Sequence, residues 1–260
     1  MQALAQAVHS WRPMQNATYI ALSSQAALQR QMDVVANNLA NLSTPAFKGE
    51  EMLFSQYLTR VRGAGTIAFV EDSGTARDLR QGPIAKTGNP LDLALQGPGY
   101  FSVETPLGTR YTRAGHFQLD AQNQLVTSEG NPVLADGGRP LALPPNINAI
   151  TVGTDGTISV KQAGSSSQAA VGKLQVVTFA APQLVTPAAN GLSVTDQTPD
   201  PATTATTTVQ QGMIEESNVQ PVVELTRLMA VSRASGSVKD LMDEESQRQS
   251  NAYDKLSKVY

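Results

Sequence analysis

Near the amino terminus Leu28, Met32, Val35, Leu39 and Leu42 follow one another at intervals of 4, 3, 4 and 3. Only a helix places that spacing on one face, as the a and d positions of a heptad, and Ala21 carries the seam backward. The pattern predicts a helix over Asn16–Leu42, roughly 40 Å long at about 1.5 Å per residue. Pro45 ends it, because the residue before a proline is pushed out of the α region. The other positions are largely Gln, Ser, Ala and Asn, suited to a solvated or lightly packed face. A stripe this long cannot be buried by its own helix. It requires a partner helix or a neighbouring subunit.

Helical character returns at the other end of the chain. Asn218 is placed to cap a helix with Pro221 in its first turn and Glu224 nearby. Leu225, Leu228, Met229, Val231, Val238, Leu241 and Met242 then form a broad apolar stripe, which Leu256 and Val259 extend. Gly236 weakens it by about 1 kcal/mol relative to alanine.

Between the helices the texture is that of a β domain. Short β-prone segments at Tyr100–Val103, Arg110–Thr112, Phe117–Leu119, Leu125–Thr127 and Leu141–Leu143 alternate with turn signals. Ile150–Val152 and Ile158–Val160 flank an Asp155-Gly156 hairpin turn, and Leu174–Phe179 reads as a buried strand. Residues 197–208 are low in complexity and read as a loop. The expected organisation is therefore α+β. Residues 1–13 form an extension, either a flexible terminus or an untranslated stretch before an initiating Met14. Residues 14–48 hold the N-terminal assembly helix, 49–82 an extended connector, 83–209 the all-β domain and 210–260 the C-terminal assembly helix. The two long helices are expected to pair in a coiled-coil-like bundle.

Composition narrows the function. The 260 residues carry 19 basic and 22 acidic side chains, so no basic excess exists to hold a phosphate backbone and nucleic acid is not an expected partner. Without cysteine, disulfides, thiol nucleophiles and Cys-zinc sites are excluded. The two histidines, His9 and His116, lie far apart, which makes a His-based nucleophilic or zinc site hard to build. No phosphate-loop, zinc-protease, nucleophile-elbow or dinucleotide fingerprint is present. Leu95–Phe101 is Gly-rich, but no helix follows it and it reads as a turn entering a strand. The paired carboxylates Glu215-Glu216 and Glu244-Glu245 are expected on solvated surfaces. No catalytic residue, cofactor, metal or small-molecule substrate is expected. The N-terminus lacks the charged start and apolar run of a cleavable signal, and no stretch is apolar enough to span a bilayer as a helix.

Asn37, Asn38 and Asn41 stand beside the seam, although asparagine amides compete with helical hydrogen bonds. Two readings fit: a fraying last turn, or lateral amide hydrogen bonding in a packed assembly.

The segment Ala36–Lys48 (ANNLANLSTPAFK) closely resembles the N-terminal signature of bacterial flagellar rod and hook proteins, A-N-N-[LI]-A-N-x-x-T-x-x-F-[KR]. Thr87–Phe101 is similar to that family's T-G-N-P-L-D-x-A-I-x-G-x-G-[FY]-F, with Leu95 for the isoleucine. Tyr111–Gly130 is similar to Y-T-R-x-G-x-F…L-V-x-x-x-G, and Gly212–Val219 to the G-x-[LI]-E-x-S-N-V that opens the C-terminal helix. The likeness covers nearly everything after Met14, and the opening Met14–Tyr19 with the moderate length resembles a proximal-rod member more than a distal-rod or hook protein. It implies a non-enzymatic axial subunit of the basal-body rod, part of the motility drive shaft. Such a subunit leaves through the flagellar type III export apparatus without a cleaved signal. In the periplasm it polymerises helically with copies of itself and other rod proteins, inside the basal-body rings. The expected assembly interface is Leu28, Met32, Val35, Leu39, Leu42, Phe47, Val223, Leu225 and Leu228 for burial, with Asn37, Asn38 and Asn41 fixing register. Two departures stand out: residues 1–13 have no counterpart, and Arg233 is followed by Ala234-Ser235-Gly236 where the family often has an aromatic and a glutamate. The competing class is a secreted carbohydrate-active β protein, which would need a polar cleft lined by Asp92, Asp120 and Asp155.

Overall fold

A computed structural model of the chain describes residues 2–61, 65–164 and 167–257. Within these, side chains are described for 20–53, 74–164, 167–251 and 253–254. Two long helices bracket a strand-rich region, an α+β architecture. The chain divides into a helical unit (1–40, 50–77 and 220–260) and a β-rich unit (41–49 and 78–219).

The helical unit contains α1 (Gln2–Ala40), the antiparallel strands β1 (Glu50–Val61) and β2 (Gly65–Arg77), and α2 (Pro221–Ser257). The helices contact each other, and α1 also contacts both strands. Along α1, Ala21, Ala27 and Val35 are buried and Leu28, Met32 and Leu39 half-buried. Among the described side chains of α2, the covered positions are Glu224, Leu228, Val231, Ser235, Val238, Met242, Glu245 and Gln249, again at intervals of four and three. Where Ser235 replaces an apolar residue, Gln25 Nε2 donates to its hydroxyl at 3.0 Å, while Gln25 Oε1 is buried without a hydrogen-bond partner among the described residues.

Two expectations fail in this unit. Helix α1 continues through residues 2–13 instead of leaving them as an extension. The run Gln2–Ala7 is rich in strong helix formers, and the helix continues although Pro13 removes one of its interior hydrogen bonds. The supposed connector 49–82 is mostly a paired hairpin. Its periodicity is masked by a bulge: Leu53 pairs with Gly74 and Phe54 with Asp72, which leaves Ser73 over. Gly74 takes φ +109° there, a conformation glycine alone adopts without strain.

The β-rich unit begins with β3 (Ile84–Lys86), β4 (Leu93–Gln96), β5 (Tyr100–Thr105), β6 (Gly108–Thr112), β7 (Phe117–Leu119) and β8 (Leu125–Thr127). Then come β9 (Leu134–Ala135), β10 (Arg139–Pro140), β11 (Ile147–Val152), β12 (Thr157–Gln162), β13 (Ala169–Lys173), β14 (Val176–Thr178), β15 (Thr186–Pro187), β16 (Leu192–Val194), β17 (Asp200–Pro201), β18 (Thr208–Gln211) and β19 (Met213–Glu215). The largest sheet runs β15-β16-β6-β5-β14-β17, and β11-β12-β13 form a second. Both edges of the large sheet end in proline, Pro187 and Pro201, which cannot donate to an added strand. Phe101, Phe117, Leu93, Leu95, Val133 and Ile158 are at most 2% exposed and anchor the core. Phe101 and Phe117 meet edge to face at 5.2 Å, and each such burial stabilises by about 1.5–3 kcal/mol.

The unit is closed by residues far along the chain. β18 pairs with β4 and β19 with β3, so residues 210–215 are two short strands joined at Gly212 rather than the expected start of the C-terminal helix. β-branched Thr208 and Val209 favour that state, and Gly212 at φ +73° turns the chain between the strands. Gly115 shows how closely backbones approach here: Leu93 N–H donates to its carbonyl at 2.8 Å, and a Cβ on it would collide with the Leu93 carbonyl oxygen.

Candidate functional site

The polar side chains that sequence periodicity does not explain gather into two clasps, one in each unit. In the β-rich unit the centre is Glu215, whose side chain is fully buried. One carboxylate oxygen accepts from Lys48 Nζ at 2.5 Å and from Gly82 N–H at 3.0 Å. The other accepts from Arg113 Nε at 2.9 Å, with Nη2 2.8 Å away as an ion pair. Arg113 Nη1 donates to the Gly97 and Gly99 carbonyls at 3.1 and 2.8 Å, and Lys48 donates to the Arg80 carbonyl at 2.8 Å. Burial pushes the Lys48 ammonium below its usual pKa; Glu215 opposes that shift and the Arg113 charge adds to it.

Asn218 completes this clasp. Its Oδ1 accepts from Gly49 N–H at 2.8 Å, and its Nδ2 donates to the Asp78 and Arg80 carbonyls at 2.8 and 3.0 Å. Its backbone N–H donates to the Phe47 carbonyl at 3.2 Å. It is therefore not the helix cap that its distance from Pro221 suggested: α2 begins at Pro221, and the Asn218 amide is already engaged by three backbone groups. Nor is Glu215 solvated. Its neighbour Glu216 is exposed, and strand alternation sends the two opposite ways. Glu245 is likewise buried on the covered face of α2 while Glu244 is exposed.

In the helical unit the centre is Asn38, only 2% exposed. Its amide reads both backbone groups of Glu50: Nδ2 donates to the carbonyl and Oδ1 accepts from the N–H, each at 2.9 Å. Nδ2 also lies 3.4 Å from a Glu224 oxygen. The other Glu224 oxygen accepts from Arg227 Nη1 at 2.9 Å, and Arg227 Nη2 donates to Glu51 at 3.1 Å. Asn38 thus bonds within its own chain, because the end of α1 must satisfy a strand that starts beside it. Replacing Asn38 by alanine is expected to cost about 2–3 kcal/mol, since two backbone groups lose their partner at once. Urea unfolding checks this; a midpoint within error of wild type would refute the clasp.

The proposed interface residues fall into different environments. Val35 is buried, and Leu28, Met32 and Leu39 are half-buried in the helical unit. Leu42 and Phe47 are half-buried in the β-rich unit. Asn37 is exposed, and Asn41 accepts from the Thr44 hydroxyl at 3.1 Å. On α2, Leu228 is half-buried, whereas Val223 and Leu225 are 40% and 46% exposed. Val222 and Met229, at 76% and 53%, join Leu225 on an open apolar face, spaced 3 and 4 apart along the helix. The three aspartates of the carbohydrate-cleft reading each hold their own turn. Asp92 accepts from Asn89 at 3.0 Å and lies 2.8 Å from His116 Nδ1. Asp120 accepts from the Gln122 and Gln124 N–H groups, and Asp155 from Thr157.

Glu215, Arg113, Gly82, Glu224 and Arg227 were not legible as site residues. Arg113 and Lys48 lie 102 and 167 residues from Glu215, and no local pattern brings them together. The only signal was that Lys48, Arg113, Glu215 and Asn218 each stand inside a motif segment.

Helices at both ends, one with an open apolar face, and polar side chains turned inward to close clasps are the architecture of a subunit built into a larger assembly. Comparison with known proteins agrees. Residues 19–48 match the family model "Flagella basal body rod protein". Residues 94–160 match "Flagellar hook protein FlgE/F/G D1 domain" and 210–234 "Flagellar basal body rod FlgEFG protein C-terminal". The flagellar basal-body rod protein FlgF of Caulobacter vibrioides is 39% identical over 95% of this chain and 100% of its own length. FlgF of Mesorhizobium japonicum is 35% identical over 88% of this chain and 92% of its own. FlgG of Buchnera aphidicola is 32% identical over 83% and 90%. The chain belongs to the flagellar basal-body rod protein family and is FlgF-like. Its function is that of a structural subunit of the rod, and the carbohydrate-active alternative is not favoured.

Proposed function

We propose that the chain enters the rod through its two long helices. Leu28, Met32, Val35 and Leu39 on α1 and Leu228, Val231, Val238 and Met242 on α2 form a coiled-coil-like seam within each subunit. The exposed Val222, Leu225 and Met229, with Val223, then meet neighbouring subunits, either copies of this chain or other rod proteins. The observation that carries this reading is the open face itself: large apolar side chains held on a helix and left in water by a lone subunit. Contacts of this head-to-tail kind build an open helix. The chain reaches the periplasm through the flagellar type III export apparatus without a cleaved signal and lies inside the basal-body rings. It needs no catalytic group, metal or cofactor.

Two measurements test the proposal. Mass spectrometry of purified hook–basal bodies is expected to find this chain, and its absence would remove the rod reading. Leu225→Asp alters an exposed position and should change the stability of the free chain by no more than about 0.5 kcal/mol, yet abolish incorporation and swimming. Wild-type swimming would show that this face is not the interface.

A further inference from the structure

The chain passes between its two units at four places: Ala40/Asn41, Gly49/Glu50, Arg77/Asp78 and Val219/Gln220. Three of these junctions lie within two residues of the Glu215–Asn218 clasp. Gly49 and Asp78 are bonded to Asn218, and Asn218 itself stands just before the fourth junction. A hydrogen bond from Asp78 N–H to the Gly49 carbonyl at 2.8 Å ties the second and third junctions directly. Lys48 and Gly82 extend both segments to the buried Glu215 carboxylate. On the helical side the Asn38 clasp holds Glu50, the residue directly past the second junction, and Glu224, five residues past Val219 in the first turn of α2.

We propose that the Glu215–Asn218 clasp is the load-bearing anchor of the subunit. It fastens three connecting segments to one place on the β-rich unit, so that a twisting load arriving along them is shared instead of drawing out one segment at a time. The load-bearing part rests on the rod reading; the fastening does not. Chain segments joined only by apolar contact slide past one another, since such contacts are non-directional. Charge-assisted bonds to a buried carboxylate have fixed geometry and resist sliding. Lys48, Arg113, Glu215 and Asn218 are accordingly positioning residues, and their exchange for apolar side chains of equal volume would keep the packing while losing the anchor.

Hydrogen exchange on the full chain reads the fastening. In Asn218→Ala the amides of Gly49 and of residues 78–82 are expected to exchange at least about tenfold faster, together, while β11–β13 stay at wild-type rates. Asn218→Asp keeps the acceptor for Gly49 and removes the donor to the Asp78 and Arg80 carbonyls, so it should loosen 78–82 and leave Gly49 slow. Faster exchange confined to 216–219 in the alanine variant would overturn the anchor. So would equal loosening of Gly49 and 78–82 in the aspartate variant, which decides the matter should alanine loosen the whole unit. In cells that carry the wild-type chain in their basal bodies, the Asn218→Ala subunit is expected to assemble in normal amount and to lose swimming as viscosity rises. An unchanged dependence on viscosity, or failure to assemble at all, would overturn the load-bearing role. Absence of the wild-type chain from basal bodies would instead defeat the rod reading and leave the exchange result standing.

Discussion

Glu215→Gln is expected to destabilise the β-rich unit by about 3–5 kcal/mol. Glutamine fills the same space but removes the single negative charge between two buried cations, Lys48 and Arg113. The ion pair as a whole adds little net stability, because desolvating three charges costs nearly what their attraction returns. Removing one partner is different: it leaves two like charges close together in a low-dielectric site, and the Arg113 guanidinium cannot shed its proton. The double variant Glu215→Gln/Lys48→Met should therefore be more stable than the single one. Denaturant unfolding of wild type, both singles and the double gives the coupling directly. A single variant within 1 kcal/mol of wild type would mean the cluster is not the closing element of the unit.

Val35→Asp should have a comparable effect on the other unit. Val35 is 3% exposed at the centre of the seam, and a carboxylate there would be buried near Glu50, Glu51 and Glu224, where Arg227 is already bonded to Glu224 and Glu51, or else drive the helices apart. A loss of about 3–5 kcal/mol is the order expected for an unpaired buried charge. The predicted signature is selective: amide exchange rises along residues 20–40 and 222–250, the near-ultraviolet signal of the Phe and Tyr residues in the β-rich unit persists, and the variant is absent from basal bodies. Slow exchange along both helices, or normal motility, would show that Val35 does not hold the seam.

These substitutions fall where sequence reading had unequal success. Seam residues such as Val35 and Val231 could be found because a helix repeats its faces at a fixed interval, so burial is written into local spacing. The turns were legible for a similar reason. Asp120 and Asp155 bond the backbone within four residues, and Gly156 at φ +84° marks its hairpin chemically. The β1–β2 hairpin was not legible, because one extra residue in a bulge shifts the alternation that announces a strand.

The amino-acid sequence by itself determined the two apolar helices, the short strands between them, the absence of cysteine chemistry and the rod-like signature. Each depends on neighbours close in the chain or on residue type alone. Only the tertiary structure decided that Glu215 is buried between Lys48 and Arg113, that Asn38 reads the backbone of Glu50, and that Asn218 ties connecting segments instead of capping α2. Each of those pairings joins residues between 12 and 169 positions apart. Which polar groups a fold brings together depends on how the whole chain closes, and a residue's own neighbourhood carries no record of that.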